Sequence, residues 1–495
     1  MKYLIAIDQG TTGTTACLIN TTNFAFVDKV NLEFKQIYPK PGWVEHNLND
    51  IWSTVEHTIT NLLKNNNISE NSIIGIGITN QRETTCAFDN NGQPLANAIV
   101  WQDRRTSDFC QNLRDKGYTD KIKNKTGLPI DPYFSASKMR WLLKNNDEIT
   151  KSTKNNNLKL GTIDTYLLFK LSGNKSFKTE VSNSSRTMLM DLKSRSWDQE
   201  LIDMFELDQS FLPEINDSFS IFGHTKGLSF LPDGIPISGI LGDQQSALFG
   251  QAGFNKGDMK CTYGTGAFML LNTGEEVVYS KNGLLSTVAY GYQGKTYYAL
   301  EGSCYIAGAA VQWLRDNLQF FDTSPEVETL ARKVTDLAQM KHLMFMPFFT
   351  GVGSPYWNAE IKAAIVGLTR DTSKNHLSLA CLDGIALSIH DLISSMEKDL
   401  NTKIKSLNVD GGACSNDLLM EIQATISNLE IIKPKVIETT SYGAALAAGI
   451  GLDLINFDKI STLWKKETSF IAKDDWKEHY KEKSVTWKNW CEKNC

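Results

Sequence analysis

Two short segments rich in glycine and threonine have the composition of phosphate-binding turns. DQGTTG at 8–13 and TYGTG at 262–266 each follow an apolar run. Glycines and small hydroxyl residues let the main chain approach a phosphate, and its N–H groups then donate to the oxygens. Either segment alone is also typical of an ordinary β-turn. Because the strand–turn–strand pattern occurs twice, at IAIDQGTTGTTACLI and MKCTYGTGAFMLLNTG, we interpret the pair as two phosphate-facing hairpins, one in each half of the chain.

Other features of the chain agree with nucleotide binding. Asp8 ends the first apolar run, where its carboxylate could hold the water ligands of Mg²⁺. A third glycine cluster, DGGACSN at 410–416, lies between an apolar run and a helical pattern, which lets the backbone lie against a base or ribose. A P-loop is not predicted, since the nearest approach, AYGYQGKT, has Ala289 where the first glycine is required.

Polar residues of a second kind follow two further apolar runs. Arg82 and Glu83 come after GIGIT, and Asp243 and Gln244 come after PISGILG. Together they offer donors and acceptors, which suits a ligand rich in hydroxyl groups. Asp243 is the candidate general base, because an alcohol that attacks phosphorus must lose its proton. The alternative for Arg82 and Glu83 is a surface ion pair.

Aromatic residues and histidines near these motifs carry less information. Trp101, Tyr133 and Phe268 by themselves fit a hydrophobic core better than a substrate wall. Of the seven histidines, only His224 falls near the clusters, and we interpret it as a loop residue.

Length and hydrophobic patterning predict an α/β protein of two domains. A chain of 495 residues, 41% of them hydrophobic, is longer than one hydrophobic core usually serves, which predicts two domains of roughly 250 residues each. The glycine-containing segment 248–258 is the candidate boundary, which gives domains 1–250 and 251–495. Apolar runs typical of buried strands alternate with helical patterns. The predicted strands are 3–8, 72–79, 236–243, 342–348 and 406–412.

Helical periodicity is clearest in two segments. One begins with Asn49 as its N-cap and runs to residue 65, and the other follows Ser373 and runs to residue 400. The last forty residues, rich in Lys, Glu and Trp, predict a terminal amphipathic helix.

Charge, hydropathy and cysteine content narrow the class of partner. The formal net charge is −5 with no basic run, so nucleic acid is not an expected partner. No stretch approaches the ~20 continuous apolar residues of a membrane helix, and the N-terminus resembles a first strand more than a signal peptide. Nine cysteines without C-x-x-C predict reduced thiols in a cytoplasmic protein, with Cys491 and Cys495 as two exposed thiols.

Eight motifs taken together resemble the FGGY carbohydrate kinases, and among them the members that act on glycerol. The resemblance covers nearly the whole chain. The motifs are DQGTT at 8–12, PGWVEH at 41–46, TNQRETT at 79–85, NAIVWQDRRT at 97–106, DPYFSASK at 131–138, GDQQSALFGQ at 242–251, TYGTGAFMLLNTG at 262–274 and DGGACSND at 410–417. The resemblance implies two actin/Hsp70-like (ribonuclease H-like) ATPase domains, with ATP and a polyol meeting in the cleft between them.

Residue roles follow from the resemblance, position by position. On the acceptor side, the residues implied to hydrogen-bond glycerol are Arg82, Glu83, Tyr133, Asp243 and Gln244, with Trp101 and Phe268 covering its carbon chain and Asp243 as the base. On the nucleotide side, the implied ATP positions are Thr11, Thr12, Gly13, Thr265, Gly308, Gln312, Gly412 and Asn416, while Asp8 would hold Mg²⁺ through water.

Two departures from the family pattern carry their own expectations. Thr15 stands where many members have an arginine, and losing that guanidinium removes a bidentate phosphate contact, so nucleotide affinity or ADP release is expected to differ. The loop LSFLPDG lacks the Gly-Gly-Thr-Arg that binds fructose 1,6-bisphosphate in some bacterial members, so this feedback is expected to be absent.

The resemblance therefore implies transfer of the γ-phosphoryl group of MgATP to glycerol, giving sn-glycerol 3-phosphate in glycerol catabolism, by a homodimer or homotetramer. One alternative is a sister kinase for a longer polyol or a ketose such as xylulose, which the small pocket implied by Arg82, Glu83, Trp101 and Phe268 disfavours. A second is a nucleotide-driven binding or chaperone-like protein, because fold alone does not decide function.

Overall fold

The computed structural model describes residues 1–495, and its strands form two large sheets, one five-stranded sheet and three strand pairs. The strands are β1 Tyr3–Gln9, β2 Gly13–Asn20, β3 Phe26–Glu33, β4 Gln36–Ile37, β5 Glu45–His46, β6 Ile73–Asn80, β7 Thr85–Phe88, β8 Ala98–Ile99, β9 Lys159–Thr162, β10 Lys178–Glu180, β11 Met190–Asp191, β12 Ser196–Trp197, β13 Glu214–Asn216, β14 Gly223–His224, β15 Pro236–Gly242, β16 Met259–Tyr263, β17 Ala267–Gly274, β18 Leu285–Tyr292, β19 Lys295–Cys304, β20 Met344–Met346, β21 Ala364–Val366, β22 Ser406–Asp410, β23 Glu430–Pro434 and β24 Lys466–Phe470.

Sixteen α-helices cover and connect these sheets. They are α1 Leu48–Asn65, α2 Ser107–Asp115, α3 Thr119–Thr126, α4 Ser135–Asn145, α5 Asp147–Lys154, α6 Ile163–Leu171, α7 Val181–Ser184, α8 Gln199–Met204, α9 Asp243–Gly250, α10 Gly308–Asp316, α11 Glu326–Ala331, α12 Lys374–Leu400, α13 Asp417–Ser427, α14 Thr439–Gly451, α15 Phe457–Leu463 and α16 Lys477–Asn494. The α/β class predicted from the sequence is confirmed.

The two large sheets share a topological core. The first has the order β14-β15-β6-β1-β2-β3 and the second has the order β18-β19-β17-β16-β22-β23-β24. Each contains an antiparallel hairpin, β1–β2 or β16–β17, whose first strand pairs in parallel with a later strand, β6 or β22. A second parallel neighbour, β15 or β23, follows in each sheet. The strand–turn–strand pattern that occurs twice in the sequence therefore corresponds to a repeated strand arrangement in the two sheets.

Strand β1 is apolar from Leu4 to Ile7 because both of its faces are covered there. Side chains alternate between the two faces of a strand. Ile5 and Ile7 belong to a core shared with α1, whereas Leu4 and Ala6 belong to a different core shared with α14. This double burial explains why the first run lacks polar alternation, as is usual for central parallel strands.

Helix α14, although late in the chain, packs directly on the first sheet. Its backbone passes so close to β6 that a Cβ on Gly77 would lie 2.0 Å from the Ala444 carbonyl oxygen. Gly239 on β15 meets the same helix in the same way, with 2.3 Å between such a Cβ and the Ala448 nitrogen. The glycines in GIGI and ISGI therefore permit close helix-to-sheet contact.

The start of one helix differs from its prediction. Helix α1 is capped by Asn47, whose side-chain oxygen accepts from the Asn49 N–H at 2.8 Å, so the prediction of Asn49 as the cap was wrong by two residues. Asn49 already lies inside the first turn. Helix α12 follows Ser373 as predicted, and Ser373 and His376 form a reciprocal capping box at its start.

Helix α12 is long and apolar enough to cross a membrane by length and composition, but 78% of its most apolar window is buried within the protein. A core helix meets the same criteria, and this one contributes Leu379, Leu382, Ile385 and Ile389 to the largest apolar core.

The chain end also differs from its prediction. Helix α15, strand β24 and helix α16 all lie within the last forty residues, so the single amphipathic helix was predicted too long. Lys483 of α16 is buried and pairs with Asp383 of α12, which anchors the terminal helix. Cys491 is fully buried, so only Cys495 of the two thiols is even partly exposed.

Candidate active site

Parallel strands β6 and β15 bring the first group of predicted residues together. Both strands end at the same edge of the sheet, so the segments that follow them meet there. Arg82 Nε lies 3.0 Å from Asp243 Oδ1, and Asp243 begins helix α9. The Gln244 N–H also donates to Asp243 Oδ1, at 2.7 Å. The second carboxylate oxygen therefore has no protein partner, and the Asp243 side chain is 29% exposed.

Arg82 and Glu83 are buried, so the alternative of a surface ion pair was wrong. Arg82 donates through both terminal nitrogens to Glu301, with Nη2 3.0 Å from Oε1. Arg186 Nε donates to Glu83 Oε1 at 2.6 Å. Burial raises the pKa of Glu83, although Arg186 and Arg82 act in the opposite direction. Burial also tends to raise the pKa of Glu301, but Arg186 and Arg82 outweigh it, so this pKa lies below its ordinary value.

Gln244 is oriented by a buried lysine. Lys260 Nζ donates to Gln244 Oε1 and to Thr262 Oγ1, the latter at 2.9 Å. Burial lowers the pKa of Lys260, while Asp410 and Asp243 oppose the shift. Because its carbonyl oxygen is engaged, the Gln244 side chain offers its amide N–H groups as donors.

Three aromatic side chains form one wall near these polar groups. The ring of Trp101 lies edge-on to those of Tyr133 and Phe268, with centroid distances of 5.5 and 6.3 Å. Trp101 Nε1 donates to Thr11 Oγ1 at 3.0 Å, so the wall also contacts the first phosphate turn. The three aromatics, separated by up to 167 positions in sequence, thus lie together, and Tyr133 joins an apolar core to the polar cluster, since the Arg186 guanidinium lies 5.6 Å from its ring.

The glycine- and threonine-rich turn between β1 and β2 is held by the segment after β6. Gln81 Nε2 donates to the Gly10 carbonyl oxygen at 3.1 Å and lies 3.3 Å from His46 Nδ1. His46 is fully buried, and burial lowers its pKa to about 4. His224, the one histidine that the sequence placed near the clusters, was interpreted as a loop residue but lies in the edge strand β14, whereas His46 is the histidine beside the site.

Asp8 stands at the end of β1 beside this turn. Ser441 Oγ donates to Asp8 Oδ2 at 2.9 Å, and the carboxylate is half-buried. Burial, together with the nearby charge of Asp243, raises the pKa of Asp8 to about 7, although the hydrogen bond from Ser441 acts in the opposite direction. No group of three or more His, Cys, Asp or Glu side chains is placed to hold a metal ion alone. A single carboxylate suits Mg²⁺, which keeps several water ligands and also binds substrate phosphates.

The remaining residues of the first turn differ in exposure. Thr12 is exposed and Thr11 is half-buried, whereas Gly13 is buried, with a Cβ there 2.7 Å from the Leu32 carbonyl oxygen. Thr15 pairs directly with Asp8 across the hairpin and accepts from Asn31 Nδ2 at 2.8 Å. Paired residues of an antiparallel hairpin share a face, so an arginine at position 15 would lie next to Asp8.

The second turn opens into a cavity of about 450 Å³, which is within the usual size of a small-molecule site. The cavity is lined by six residues that the sequence analysis placed in nucleotide-binding motifs, namely Gly264, Thr265, Gly308, Gln312, Gly412 and Asn416. Helix α10 begins here, and its Gly308 N–H donates to the Gly264 carbonyl oxygen at 3.0 Å. A Cβ on Gly412 would meet nothing within 4 Å, so this glycine borders open space.

Apolar residues line another part of this cavity. Val311, Leu382 and Leu419 lie beside the glycines, so the cavity combines an apolar surface with backbone N–H donors. This composition suits a flat base together with phosphate groups. Glu328 is a further lining residue, and its carboxylate accepts from the Asp417 N–H at 3.2 Å at the start of α13.

Comparison with known proteins agrees with this arrangement. The model described as the FGGY family of carbohydrate kinases, N-terminal domain, matches residues 3–250, and that of the C-terminal domain matches residues 259–452. The chain belongs to the FGGY family of carbohydrate kinases. Its FGGY fold of two actin/Hsp70-like ATPase domains is that of glycerol kinase from Plasmodium falciparum, solved with ADP, at a TM-score of 0.91 and 36% identity over 100% of this chain and 98% of that chain.

Curated FGGY relatives are similar over nearly the same length. Glycerol kinase of Staphylococcus haemolyticus is 45% identical over 95% of this chain and 94% of that protein. Glycerol kinase of Bacillus subtilis is 45% identical over 94% of each chain.

Several residues of this FGGY site were missed by sequence reasoning. Arg186, Lys260 and Glu301 are charged side chains inside otherwise apolar or small-residue segments, and each is almost completely buried. A buried charge needs a partner. A charged residue within the apolar strands YYALEG and MKCTY was therefore the available signal of a buried, paired charge, although it did not identify the partner.

Proposed function

We propose that this FGGY kinase transfers the γ-phosphoryl group of ATP to a terminal hydroxyl of glycerol and forms sn-glycerol 3-phosphate in glycerol catabolism. The observation that carries the proposal is the contact of Arg82 with Asp243 beside the Trp101–Phe268 wall. It offers donors, an acceptor and a short apolar surface, which match a three-carbon polyol. The relatives at 45% identity, both glycerol kinases, support the same acceptor.

The proposed acceptor site divides its tasks among these side chains. Arg82, Glu83, Tyr133, Asp243 and Gln244 hydrogen-bond the hydroxyl groups, and Trp101 and Phe268 cover the carbon chain. Asp243 accepts the proton of the attacking hydroxyl through its free oxygen, which makes it the proposed catalytic base.

The proposed nucleotide site uses both glycine-rich turns. Thr11, Thr12, Gly13 and Thr15 face the phosphates from the first hairpin, Thr265 faces them from the second, and Gly308, Gln312, Gly412 and Asn416 surround the nucleoside. Asp8 would hold Mg²⁺ through water, and the ion would supply positive charge to the phosphate oxygens.

The proposed organisation is a domain of residues 1–250 followed by a domain of residues 251–495 that lends helix α14 to the core of the first, with the acceptor in the cleft between them. Closure of the cleft would exclude water and limit wasteful hydrolysis of ATP. We further propose a cytoplasmic homodimer or homotetramer, because the thiols are free and the resemblance implies such assemblies.

The proposal is tested by measuring ADP release from MgATP with glycerol, xylulose, ribulose, xylitol or no acceptor, and by identifying the product with phosphorus NMR. Stimulation by glycerol alone, with glycerol 3-phosphate as product, is expected. Stimulation by xylulose or another five-carbon acceptor instead would assign a sister kinase. ATP binding without stimulation by any acceptor would favour a nucleotide-driven binding protein.

A further inference from the structure

Four charged side chains form a closed cluster behind the proposed acceptor site. Arg82, Glu83, Arg186 and Glu301 have side-chain exposures of 0–2%, and their two positive and two negative charges balance. Removing charges from water is costly unless each is paired and hydrogen-bonded. The mutual arrangement of these four side chains is therefore strongly determined.

Glu301 is the residue that joins this cluster. Its Oε1 accepts from Arg82 Nη2 at 3.0 Å and from Arg186 Nη2 at 3.1 Å, while Oε2 accepts from Arg82 Nη1. Gln245 adds a fourth contact, accepting from Arg82 Nη1 at 3.2 Å. Two guanidinium groups are thus fixed in relation to one carboxylate.

The cluster also crosses between the two large sheets. Glu301 lies on β19 of the seven-stranded sheet, whereas Arg82 follows β6 of the six-stranded sheet. Arg186 follows α7 and reaches Glu83, whose backbone has a left-handed conformation with φ of 61°. A non-glycine residue in this conformation is strained and needs support from its surroundings.

Each guanidinium keeps an N–H group that the protein does not satisfy. Arg82 Nε and Arg186 Nη1 are buried and have no aligned hydrogen-bond partner, although Arg82 Nε lies near Asp243. Neither Glu301 nor the tip of Arg186 is needed to bind a nucleotide, since neither lines the nucleotide cavity. The cluster therefore adjoins Asp243 of the proposed acceptor site and not the nucleotide cavity.

We propose that Glu301 and Arg186 are positioning residues for the acceptor: Glu301 fixes the guanidinium of Arg82, and Arg186 fixes the carboxylate of Glu83. This inference rests on the proposed acceptor-binding role of Arg82 and Glu83. Because Glu301 comes from the second sheet, the acceptor contacts of Arg82 depend on the two sheets being correctly placed against each other.

The first test is Glu301→Gln, which keeps the shape of the side chain and removes its charge. We expect kcat/KM for the acceptor to fall about tenfold or more, because hydrogen bonds to charged groups are worth that much. The KM for MgATP should change less than about threefold, since the nucleotide cavity is not touched. Arg186→Lys keeps the charge but replaces the planar guanidinium, whose separate nitrogens reach Glu83 and Glu301, by a single ammonium, and it should show the same pattern.

Asp383→Asn is the matched control. It makes the same carboxylate-to-amide change in another almost completely buried ion pair, that of Asp383 with Lys483, on the side of α12 that packs against α16. It is expected to lower the melting temperature as much as Glu301→Gln does and to leave acceptor kcat/KM within about threefold of wild type. If Glu301→Gln behaves in the same way as this control, Glu301 is only structural and the inference is overturned.

A double-mutant cycle gives a result that a loss of stability alone would not change. If Glu301 acts through Arg82, the losses from Glu301→Gln and Arg82→Lys should not add, and the double variant should resemble the worse single variant. Additive losses in acceptor kcat/KM would contradict the inference. If Glu301→Gln fails to fold, Glu301→Asp replaces it, because aspartate keeps the charge on a shorter side chain. The test is then the same comparison of acceptor kcat/KM with the KM for MgATP, and the same double-mutant cycle with Arg82→Lys.

Failure of the inference is distinguishable from failure of the proposed function. The acceptor of the wild-type protein is established first, and the variants are compared with that acceptor. A different acceptor overturns only glycerol as the substrate, and the variant comparison proceeds unchanged. If the wild type turns over no acceptor, both the proposed function and the positioning role are overturned.

Discussion

Asp243 has two carboxylate oxygens in different situations. Oδ1 is close to Arg82 Nε and accepts from the Gln244 N–H, whereas Oδ2 makes no contact of this kind and the side chain is 29% exposed. One oxygen is thus fixed in place while the other is available to an incoming hydroxyl group. This division of roles is what a positioned general base requires.

Asp243→Asn is expected to lower kcat by about 10²- to 10⁴-fold, because the amide has a similar shape but accepts no proton. Binding of glycerol should persist, since an amide still offers an oxygen acceptor. Steady-state kinetics with glycerol and MgATP measure kcat, and quenching of tryptophan fluorescence by glycerol measures binding. Near-normal turnover in the variant would exclude Asp243 as the base.

Asp8 should make Mg²⁺ binding depend on pH near neutrality. Because its pKa is raised to about 7 by burial, the carboxyl is mostly protonated below this pH and mostly ionised above it. Since Mg²⁺ favours the ionised form, its apparent affinity should rise as pH increases through about 7. Activity titrated with Mg²⁺ from about pH 6 to about pH 8.5 measures this rise.

Thr15→Arg is the matched variant for that titration. A guanidinium beside Asp8 favours the ionised carboxylate, so the rise in Mg²⁺ affinity should move to lower pH. Ionisation of ATP itself occurs in the same pH range but is common to both proteins. Identical pH profiles for wild type and Thr15→Arg would show that Asp8 does not govern the dependence.

At the scale of elements, short segments after strands position most of the site. Gly242 N donates to Ser182 Oγ at 3.0 Å, and Ser182 Oγ donates to Glu180 Oε2, so the start of α7 supports the turn that carries Asp243. The same segment continues to Arg186. One connection therefore steadies both the proposed base and one of the proposed positioning residues.

The terminal helix α16 is predicted to depend on its buried lysine. Lys483→Met leaves Asp383 buried with only the Tyr480 hydroxyl as a donor, and such a loss costs about 3–5 kcal/mol of stability. Chemical denaturation followed by circular dichroism measures it. Lys481→Met on the same helix is the control, because Lys481 is exposed and its change should cost less than about 0.5 kcal/mol. Equal stability of the two variants would contradict the anchoring role.

At the scale of the whole molecule, one apolar core draws on both ends of the chain. It contains Leu4 and Ala6 from β1, Leu270 from β17 and the alanines of α14. The first sheet is therefore covered on one face by residues far along the sequence, so the first half of the chain lacks part of its own core.

A fragment of residues 1–250 should consequently not fold to a native state by itself. It lacks α14, and the face of β1, β6 and β15 that this helix covers would be exposed to water. Strong binding of a hydrophobic dye and a broad thermal transition are expected. Adding residues 251–495 in trans should reduce dye binding, whereas a sharp transition for the fragment alone would show that the half is independent.

The sequence indicated much of the candidate site through local chemistry. The glycine and threonine turns at Gly10 and Gly264, and polar residues such as Asp243 directly after apolar strands, can be recognised because strand ends and tight turns have characteristic compositions. Strands β1, β6 and β15 were predicted within one residue for the same reason, whereas β22 was predicted two residues too long at its end and β20 two residues too long at each end. The cap of α1 was misplaced because Asn47 and Asn49 are equally suitable residue types.

What the amino-acid sequence determined by itself was the α/β class, the repeated hairpin and the chemical groups at the strand ends, since each depends on neighbours within a few positions. Only the tertiary structure decided which groups meet. Arg82 and Glu301 are 219 positions apart, and Arg186 and Glu301 are 115 apart, so no local pattern joins them. The physical reason is burial: a charge that folding removes from water must find its partner wherever the packed chain brings one.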